Sequence, residues 1–127
     1  MASAFRRKDY FFDLMLLGLG EDAHIASIFP GSELLERHNE RRVAAVRASH
    51  LDAWRLTLAP EAILDSQSIV VLATGGKKAN AVQAALNEPL NVKKYPAQLL
   101  RSAGDRVEWF LDRSISPERA ASIPPSS

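Results

Sequence analysis

The chain has 127 residues, enough for one domain with a buried core, and its formal net charge of +1 argues against a dedicated nucleic-acid surface. It contains no cysteine, which excludes disulfides, a thiol nucleophile and cysteine-ligated zinc. No stretch approaches the roughly 18 apolar residues of a membrane span, and the N-terminus lacks the apolar run of a secretory signal. These features predict a cytoplasmic protein with no nucleic-acid or membrane partner.

The first predicted element is a strand over residues 14–17, whose uninterrupted apolar sequence predicts burial on both faces. Gly18 and Gly20 then allow a sharp turn, and the ionisable side chains of Asp22 and His24 follow. In open α/β sheets, ligands bind at the carboxyl ends of the strands. This cluster is therefore the leading candidate for a catalytic site. The alternative is that His24 is an ordinary loop residue, since the third glycine of a dinucleotide fingerprint is absent.

Four elements are predicted next: a helix over residues 32–38, strands over 42–46 and 54–58, and a helix over 60–65. Ser32 suits the N-cap of the first helix and Pro60 the first turn of the second. We interpret His38 as structural. Arg55 has two interpretations, a substrate contact or an ion pair that anchors the strand.

The clearest strand covers residues 68–73, and a glycine turn and a helix over 77–86 follow it. Backbone N–H groups, a helix N-terminus and the ammonium groups of Lys77 and Lys78 together suit an anion. The alternative is an ordinary strand–helix turn with two surface lysines. The remaining predictions are a loop over 87–95, a helical turn from Pro96, a final strand over 107–112 with Trp109 in the core, and a disordered tail over 116–127.

The segment from Gly18 to Gly31 resembles the signature of the 6-phosphogluconolactonases, which are grouped with the glucosamine-6-phosphate isomerases/deaminases. It departs from that signature at Ala23, where the family usually has glycine, and at Ile25, where lactonases usually have threonine. Four further segments resemble the family in the expected order: Arg55-Leu-Thr-Leu, Ala73-Thr-Gly-Gly-Lys-Lys-Ala, Pro96-Ala-Gln-Leu-Leu and Trp109-Phe-Leu-Asp.

The resemblance implies an α/β fold with an open, mostly parallel sheet flanked by helices. It covers only the C-terminal half of the family's fold, so residues 1–115 are expected to form a single, partial domain. The other half of the family's domain supplies a phosphate loop and further strands. We therefore expect the chain either to form a homo-oligomer or to pair with a complementing N-terminal half, because unpaired strand edges favour association.

The resemblance also implies hydrolysis of 6-phosphogluconolactone to 6-phosphogluconate in the pentose phosphate pathway. His24 would be the general base, since an imidazole of ordinary pKa, about 6.5, accepts a proton at neutral pH. Asp22 would orient it, backbone N–H groups around Gly18 and Gly20 would stabilise the oxyanion, and Lys78 would hold the phosphate. Neither a cofactor nor a metal is expected. Two alternatives stay open: a glucosamine-6-phosphate isomerase/deaminase, and a non-catalytic or partner-dependent half-domain.

Overall fold

The computed structural model describes residues 9–115, which form two separate sheets with short helical segments between the strands. The strands are β1 (Phe12–Gly18), β2 (Val43–Ala48), β3 (Ala53–Leu58), β4 (Ser66–Ala73) and β5 (Val107–Leu111). The α-helices are α1 (Pro60–Leu64) and α2 (Ala79–Asn87), and 3₁₀ segments cover Glu33–Leu35, Ser49–Leu51, Gly76–Lys78 and Pro96–Arg106. The alternation of strands and helices confirms the predicted α/β class.

The larger sheet is parallel and has the strand order β1–β4–β5. One of its faces is buried in the core, where β-branched and other large apolar side chains of the three strands meet. The register places Met15 beside Ile69 and Leu17 beside Val71 on this face, and all four are buried. The helical segments α2 and Pro96–Arg106 contribute further apolar side chains to the same core.

The other face of this sheet overturns the prediction that residues 14–17 are buried on both sides. Leu14 and Leu16 are 55% and 60% exposed. Leu72 and Phe110, paired in register on the neighbouring strands, are 46% and 52% exposed. Side chains alternate along a strand, and among the described residues the helices pack on the opposite face. The uninterrupted apolar run therefore marks a strand with one uncovered side.

The smaller sheet is the antiparallel hairpin of β2 and β3, in which Val46 lies opposite Arg55. Both strands were predicted, and β2 extends two residues further than expected. The hairpin is joined to the rest of the chain partly through the buried Thr57, whose hydroxyl accepts a hydrogen bond from the Ser27 N–H at 3.0 Å. This bond brings the hairpin against the loop that follows β1.

Two predicted helices differ from the structure in extent. The helix expected over 32–38 is a single 3₁₀ turn, Glu33–Leu35, although Ser32 caps it as predicted by accepting a hydrogen bond from the Leu34 N–H. The helix expected from residue 77 begins at Ala79, because Gly76–Lys78 adopts a 3₁₀ conformation first. In both places a tighter turn replaces the regular α-helical conformation that apolar spacing suggested.

Trp109 packs against the core, as predicted. The predicted tail over residues 116–127 lies outside the described residues, as do residues 1–8 at the start of the predicted domain. Within the described part of the chain, no helix is long and apolar enough to cross a membrane. The assignment of residues 1–115 to one domain stays a prediction.

Candidate active site

The loop after β1, which we call the catalytic loop (residues 18–31), brings Asp22 and His24 together. The His24 Nδ1 lies 2.5 Å from the Asp22 Oδ1, and the His24 backbone N–H donates to the same oxygen at 3.1 Å. A carboxylate can only accept, so Nδ1 carries the hydrogen and Nε2 keeps a lone pair. Both side chains are partly exposed, at 30% for His24 and 48% for Asp22. This pair can take a proton from a water molecule.

The electrostatics of Asp22 suit an orienting carboxylate. Partial burial acts to raise the pKa of Asp22, but the hydrogen bonds from the His24 side chain and backbone outweigh it and hold the pKa below its ordinary value. Asp22 is consequently ionised throughout the neutral range and remains an acceptor for the imidazole N–H.

The loop is folded by short-range hydrogen bonds and by two buried isoleucines. The Gly20 N–H donates to the His24 carbonyl at 2.9 Å, and the Ala23 N–H donates to the Gly20 carbonyl at 2.9 Å. Ile25 and Ile28 are fully buried and form an isolated bridge directly after His24. These buried side chains hold the chain in place directly after His24, and the hydrogen bonds of Gly20 hold it in place before Asp22.

Position 20 requires glycine, because the side chains of His24 and Asp22 occupy the space that a Cβ would need. A Cβ at position 20 would lie 2.0 Å from the His24 Nδ1 and 2.9 Å from the Asp22 Oδ1, so no other residue leaves the pair in place. The Gly20 N–H is engaged inside the loop, which removes it as the donor predicted for an oxyanion. A Cβ at Gly18 would meet nothing within 4 Å, and this glycine is the last residue of β1.

Lys78 lies next to the same loop. Its ammonium group donates to the Leu19 carbonyl, which directly precedes Gly20. Lys77, the neighbouring lysine, is exposed. The structure thus brings Lys78 from a distant part of the sequence to the residue before Gly20, and its role in binding an anion stays a prediction.

The turn that carries Lys78 is held by the end of β5. Gly75 has a φ of +94°, a conformation that favours glycine, and its N–H donates to the Asp112 carboxylate at 3.0 Å. The hydrogen bond from the Ser114 hydroxyl and that from the Gly75 N–H lower the pKa of Asp112. One backbone donor of the predicted anion site is therefore already bound to a carboxylate of this chain.

Arg55 is the predicted residue that the structure does not bring to the site. It lies in β3 with an exposed side chain, and no ion pair joins it to an acidic group within residues 9–115. Among the same residues, no cluster of three potential ligands is arranged to hold a metal ion.

Two aromatic neighbours of the pair were missed by sequence reasoning. The centroid of the Phe29 ring lies 4.6 Å from that of the His24 ring. The centroid of the His50 ring also lies 4.6 Å from that of Phe29, at an interplanar angle of 72°. His50 follows β2 in the hairpin and is exposed. The signal available in the sequence was the position of Phe29 inside the motif, but nothing indicated that His50 would join it.

An open cavity of about 600 Å³ lies between the catalytic loop and the hairpin. Its lining includes Asp22, Ser27, Phe29, Arg47, His50 and Trp54. The lining does not include Lys78, Arg55, Gly18 or Gly20. Of the catalytic pair, Asp22 lines the cavity, whereas His24 is outside the lining and its ring contacts the lining residue Phe29.

The described residues combine a parallel sheet, a carboxylate–imidazole pair after its first strand and a lysine that contacts the same loop. The sequence matches the family of glucosamine-6-phosphate isomerases/6-phosphogluconolactonase over residues 1–109, and the chain belongs to this family. The match confirms the resemblance predicted from the motifs.

Individual relatives agree. The chain is 39% identical over 105 residues to the chloroplastic 6-phosphogluconolactonase 3 of Arabidopsis thaliana, covering 83% of this chain and 31% of the relative. It is 33% identical over 114 residues to the 6-phosphogluconolactonase of Rattus norvegicus, covering 89% and 42%. The 6-phosphogluconolactonase structure from Trypanosoma brucei superposes with a TM-score of 0.72 at 35% identity, covering 84% of this chain and 42% of that one. The chain spans less than half the length of these relatives.

Proposed function

We propose that the chain carries the proton-transfer machinery of a phosphosugar lactonase that hydrolyses 6-phosphogluconolactone to 6-phosphogluconate in the pentose phosphate pathway. The observation that carries the proposal is the 2.5 Å contact between the His24 Nδ1 and the Asp22 Oδ1. It leaves Nε2 as the base that removes a proton from the attacking water. The water oxygen bonds to the lactone carbonyl carbon, and the ring C–O bond then breaks. The imidazolium returns its proton to the ring oxygen, which becomes a hydroxyl group, and the carbonyl carbon becomes the carboxylate.

Lys78 is the proposed phosphate contact. An ammonium group that already donates to a backbone carbonyl beside the catalytic loop can turn to a dianionic phosphate and form a stronger, charge-assisted bond. Arg55 is kept as a second, weaker candidate for substrate binding, because its exposed side chain is not paired among residues 9–115. The oxyanion donor stays unassigned, since the Gly20 N–H is engaged by the His24 carbonyl.

Lactone hydrolysis by the purified chain, with His24→Ala prepared identically, tests this function. The lactone opens spontaneously, so the rate difference between the two proteins is the measured quantity. We expect a rate that depends on His24, and a second variant, Asp22→Asn, should lose a large part of it. Equal rates for the unaltered chain and His24→Ala would contradict the proposal.

The second candidate is a partner-dependent half-domain, in which activity requires either a second copy or a complementing N-terminal segment. The uncovered apolar face of the parallel sheet favours it, because parallel sheets are normally covered on both faces. Under this candidate the His24-dependent rate appears only in the assembled state. A cytoplasmic location stays a prediction, since one of the relatives is named as a chloroplastic enzyme.

A further inference from the structure

We propose that the cavity between the catalytic loop and the hairpin receives the hydroxyl-bearing part of the phosphosugar, with Trp54 as the surface on which the sugar's C–H groups pack. The inference rests on the proposed function and names the part of the substrate that this cavity selects. The cavity's volume of about 600 Å³ falls within the range of about 300–1,000 Å³ typical of small-molecule sites.

The cavity presents aromatic surface together with polar groups. Trp54 is 67% exposed although it is one of the largest apolar side chains. The Phe29 and His50 rings meet edge to face, and the Phe29 ring also contacts the His24 ring. An aromatic ring offers a flat apolar surface that suits the C–H face of a sugar, while the Asp22 carboxylate and the Ser27 hydroxyl group can bond its hydroxyls. This combination fits a polyol better than a purely apolar ligand.

The charges determine which end of the substrate enters. Asp22 and Glu33 line the cavity, and the cationic Arg47 is already paired with Asp52, so the cavity does not favour a phosphate. Lys78 does not line the cavity, and its ammonium group contacts the carbonyl of Leu19, the residue before Gly20 of the catalytic loop. In the proposed pose the phosphate lies at Lys78, outside the cavity, and the carbonyl lies at His24. The hydroxyl-bearing carbons then extend past Phe29, which contacts the His24 ring, into the cavity that Trp54 lines.

Tryptophan fluorescence measures ligand binding and so tests the proposal without relying on turnover. The chain has two tryptophans, and the second, Trp109, packs against the core, so its emission must be separated from that of Trp54. In Trp109→Phe, where Trp54 is the remaining emitter, titration with 6-phosphogluconate should change the emission until it saturates. Trp54→Phe should still bind the ligand by calorimetry but show no emission change. If Trp109→Phe does not fold, the difference between the unaltered chain and Trp54→Phe gives the same information.

Two simpler ligands separate the sugar from the phosphate. Gluconate, which lacks the phosphate, should reproduce the Trp54 emission change at a higher concentration, whereas inorganic phosphate should leave it unchanged. An equal response to inorganic phosphate would overturn the proposal. So would calorimetric binding of 6-phosphogluconate with a silent Trp54, or no calorimetric binding at all.

Steady-state kinetics adds a matched comparison. Trp54→Ala should raise KM for the lactone about tenfold with little change in kcat, and Trp54→Phe should recover most of the affinity. Leu56→Ala is the control, because Leu56 is 75% exposed on the same strand but does not line the cavity. A fall in kcat at unchanged KM would contradict a binding role. A Trp54 response without His24-dependent hydrolysis would retain the subsite and reject the proposed reaction.

Discussion

At the scale of single residues, the catalytic pair depends on the absence of a side chain at position 20. A Cβ there would lie 2.0 Å from the His24 Nδ1, so Gly20→Ala must displace the imidazole by about 1 Å or more, a misplacement that costs on the order of 100-fold in rate. We expect that loss in the His24-dependent hydrolysis of the lactone.

Gly18→Ala is the comparison for this prediction, since its Cβ would meet nothing within 4 Å and its backbone N–H is retained. Its effect should be much smaller than that of Gly20→Ala, and circular dichroism should show both variants folded. A Gly20→Ala protein with the full rate would mean that the contact between the glycine and the imidazole is not maintained in solution.

Two alanines of the catalytic loop adopt left-handed conformations, which cost roughly 1–2 kcal/mol for a residue with a Cβ. Ala23 has a φ of +68° and Ala26 a φ of +51°. The first value explains why glycine is the usual residue at position 23 in the family. Both alanines therefore hold strained backbone conformations.

Replacing these alanines by glycine should give different results. Ala26 is exposed, so Ala26→Gly relieves the strain at the cost only of a more flexible unfolded chain, and it should stabilise the protein by roughly 0.5–1 kcal/mol. Ala23 is 1% exposed, and Ala23→Gly also removes a buried methyl group worth about 0.8 kcal/mol, so its net effect should be near zero. Urea unfolding measures both. A larger gain at position 23 than at 26 would contradict this balance.

The sequence predicted the residue pair but not its surroundings. Asp22 and His24 are two positions apart, so a local turn after a strand is enough to bring them together. The Phe29–His50 contact and the bond from Lys78 to the Leu19 carbonyl join distant segments. These contacts depend on how the hairpin and the helix α2 pack, which no local pattern specifies.

At the scale of elements, Glu61 of α1 organises the segment that leads into β2. It accepts hydrogen bonds from the Asn39 backbone and side chain, both at 3.0 Å, and its carboxylate lies 3.4 Å from the His38 Nδ1. Burial acts to raise the pKa of Glu61, but the hydrogen bonds from Asn39 outweigh it and lower the pKa. The structural role proposed for His38 agrees with this contact.

The lowered pKa makes the contribution of Glu61 depend on pH with a definite sign. Stability from a carboxylate whose pKa falls on folding is present above its ordinary value of 4.5 and is lost as the pH falls through the lower folded value. Glu61→Gln should therefore be destabilising at neutral pH, and the difference in unfolding free energy should vanish in acid. Glu33→Gln, which removes an exposed pair with Arg37, should show almost no difference at either pH. A Glu61→Gln difference independent of pH would contradict the assignment.

The sequence predicted the positions of the strands more accurately than the lengths of the helices. β-branched and aromatic runs located β3, β4 and β5, because these residues pack well on a pleated surface. The region from Ser32 onward forms only a 3₁₀ turn, since Asn39 and Glu61 hold the following residues in an irregular conformation. Side-chain hydrogen bonds between separate segments replaced a regular helix, and residue spacing does not reveal them.

At the scale of the whole molecule, the parallel sheet is unusual because one of its faces is uncovered among the described residues, whereas parallel sheets are normally covered on both faces. Leu14, Leu16, Leu72 and Phe110 lie together on it, each about half exposed. The sequence could not predict this exposure, because an apolar run has the same pattern whether one face or both are covered. A contiguous apolar patch of this kind favours association.

We therefore predict that the chain self-associates in solution when no complementing segment is present. Sedimentation velocity should show an oligomer for the unaltered chain, and Leu16→Lys should shift it to the monomer, since a charge in the middle of the patch must be desolvated on association. The far-UV circular dichroism of Leu16→Lys should be unchanged, because this side chain already faces solvent.

Leu56→Lys places the same charge on the hairpin, where the side chain is 75% exposed and lies outside the apolar face of the parallel sheet. It should sediment like the unaltered chain, which separates a specific effect of the face from a general effect of added charge. An unaltered chain that sediments as a monomer over the whole concentration range, with a full His24-dependent rate, would show that the exposed face is tolerated. The partner-dependent candidate would then be rejected.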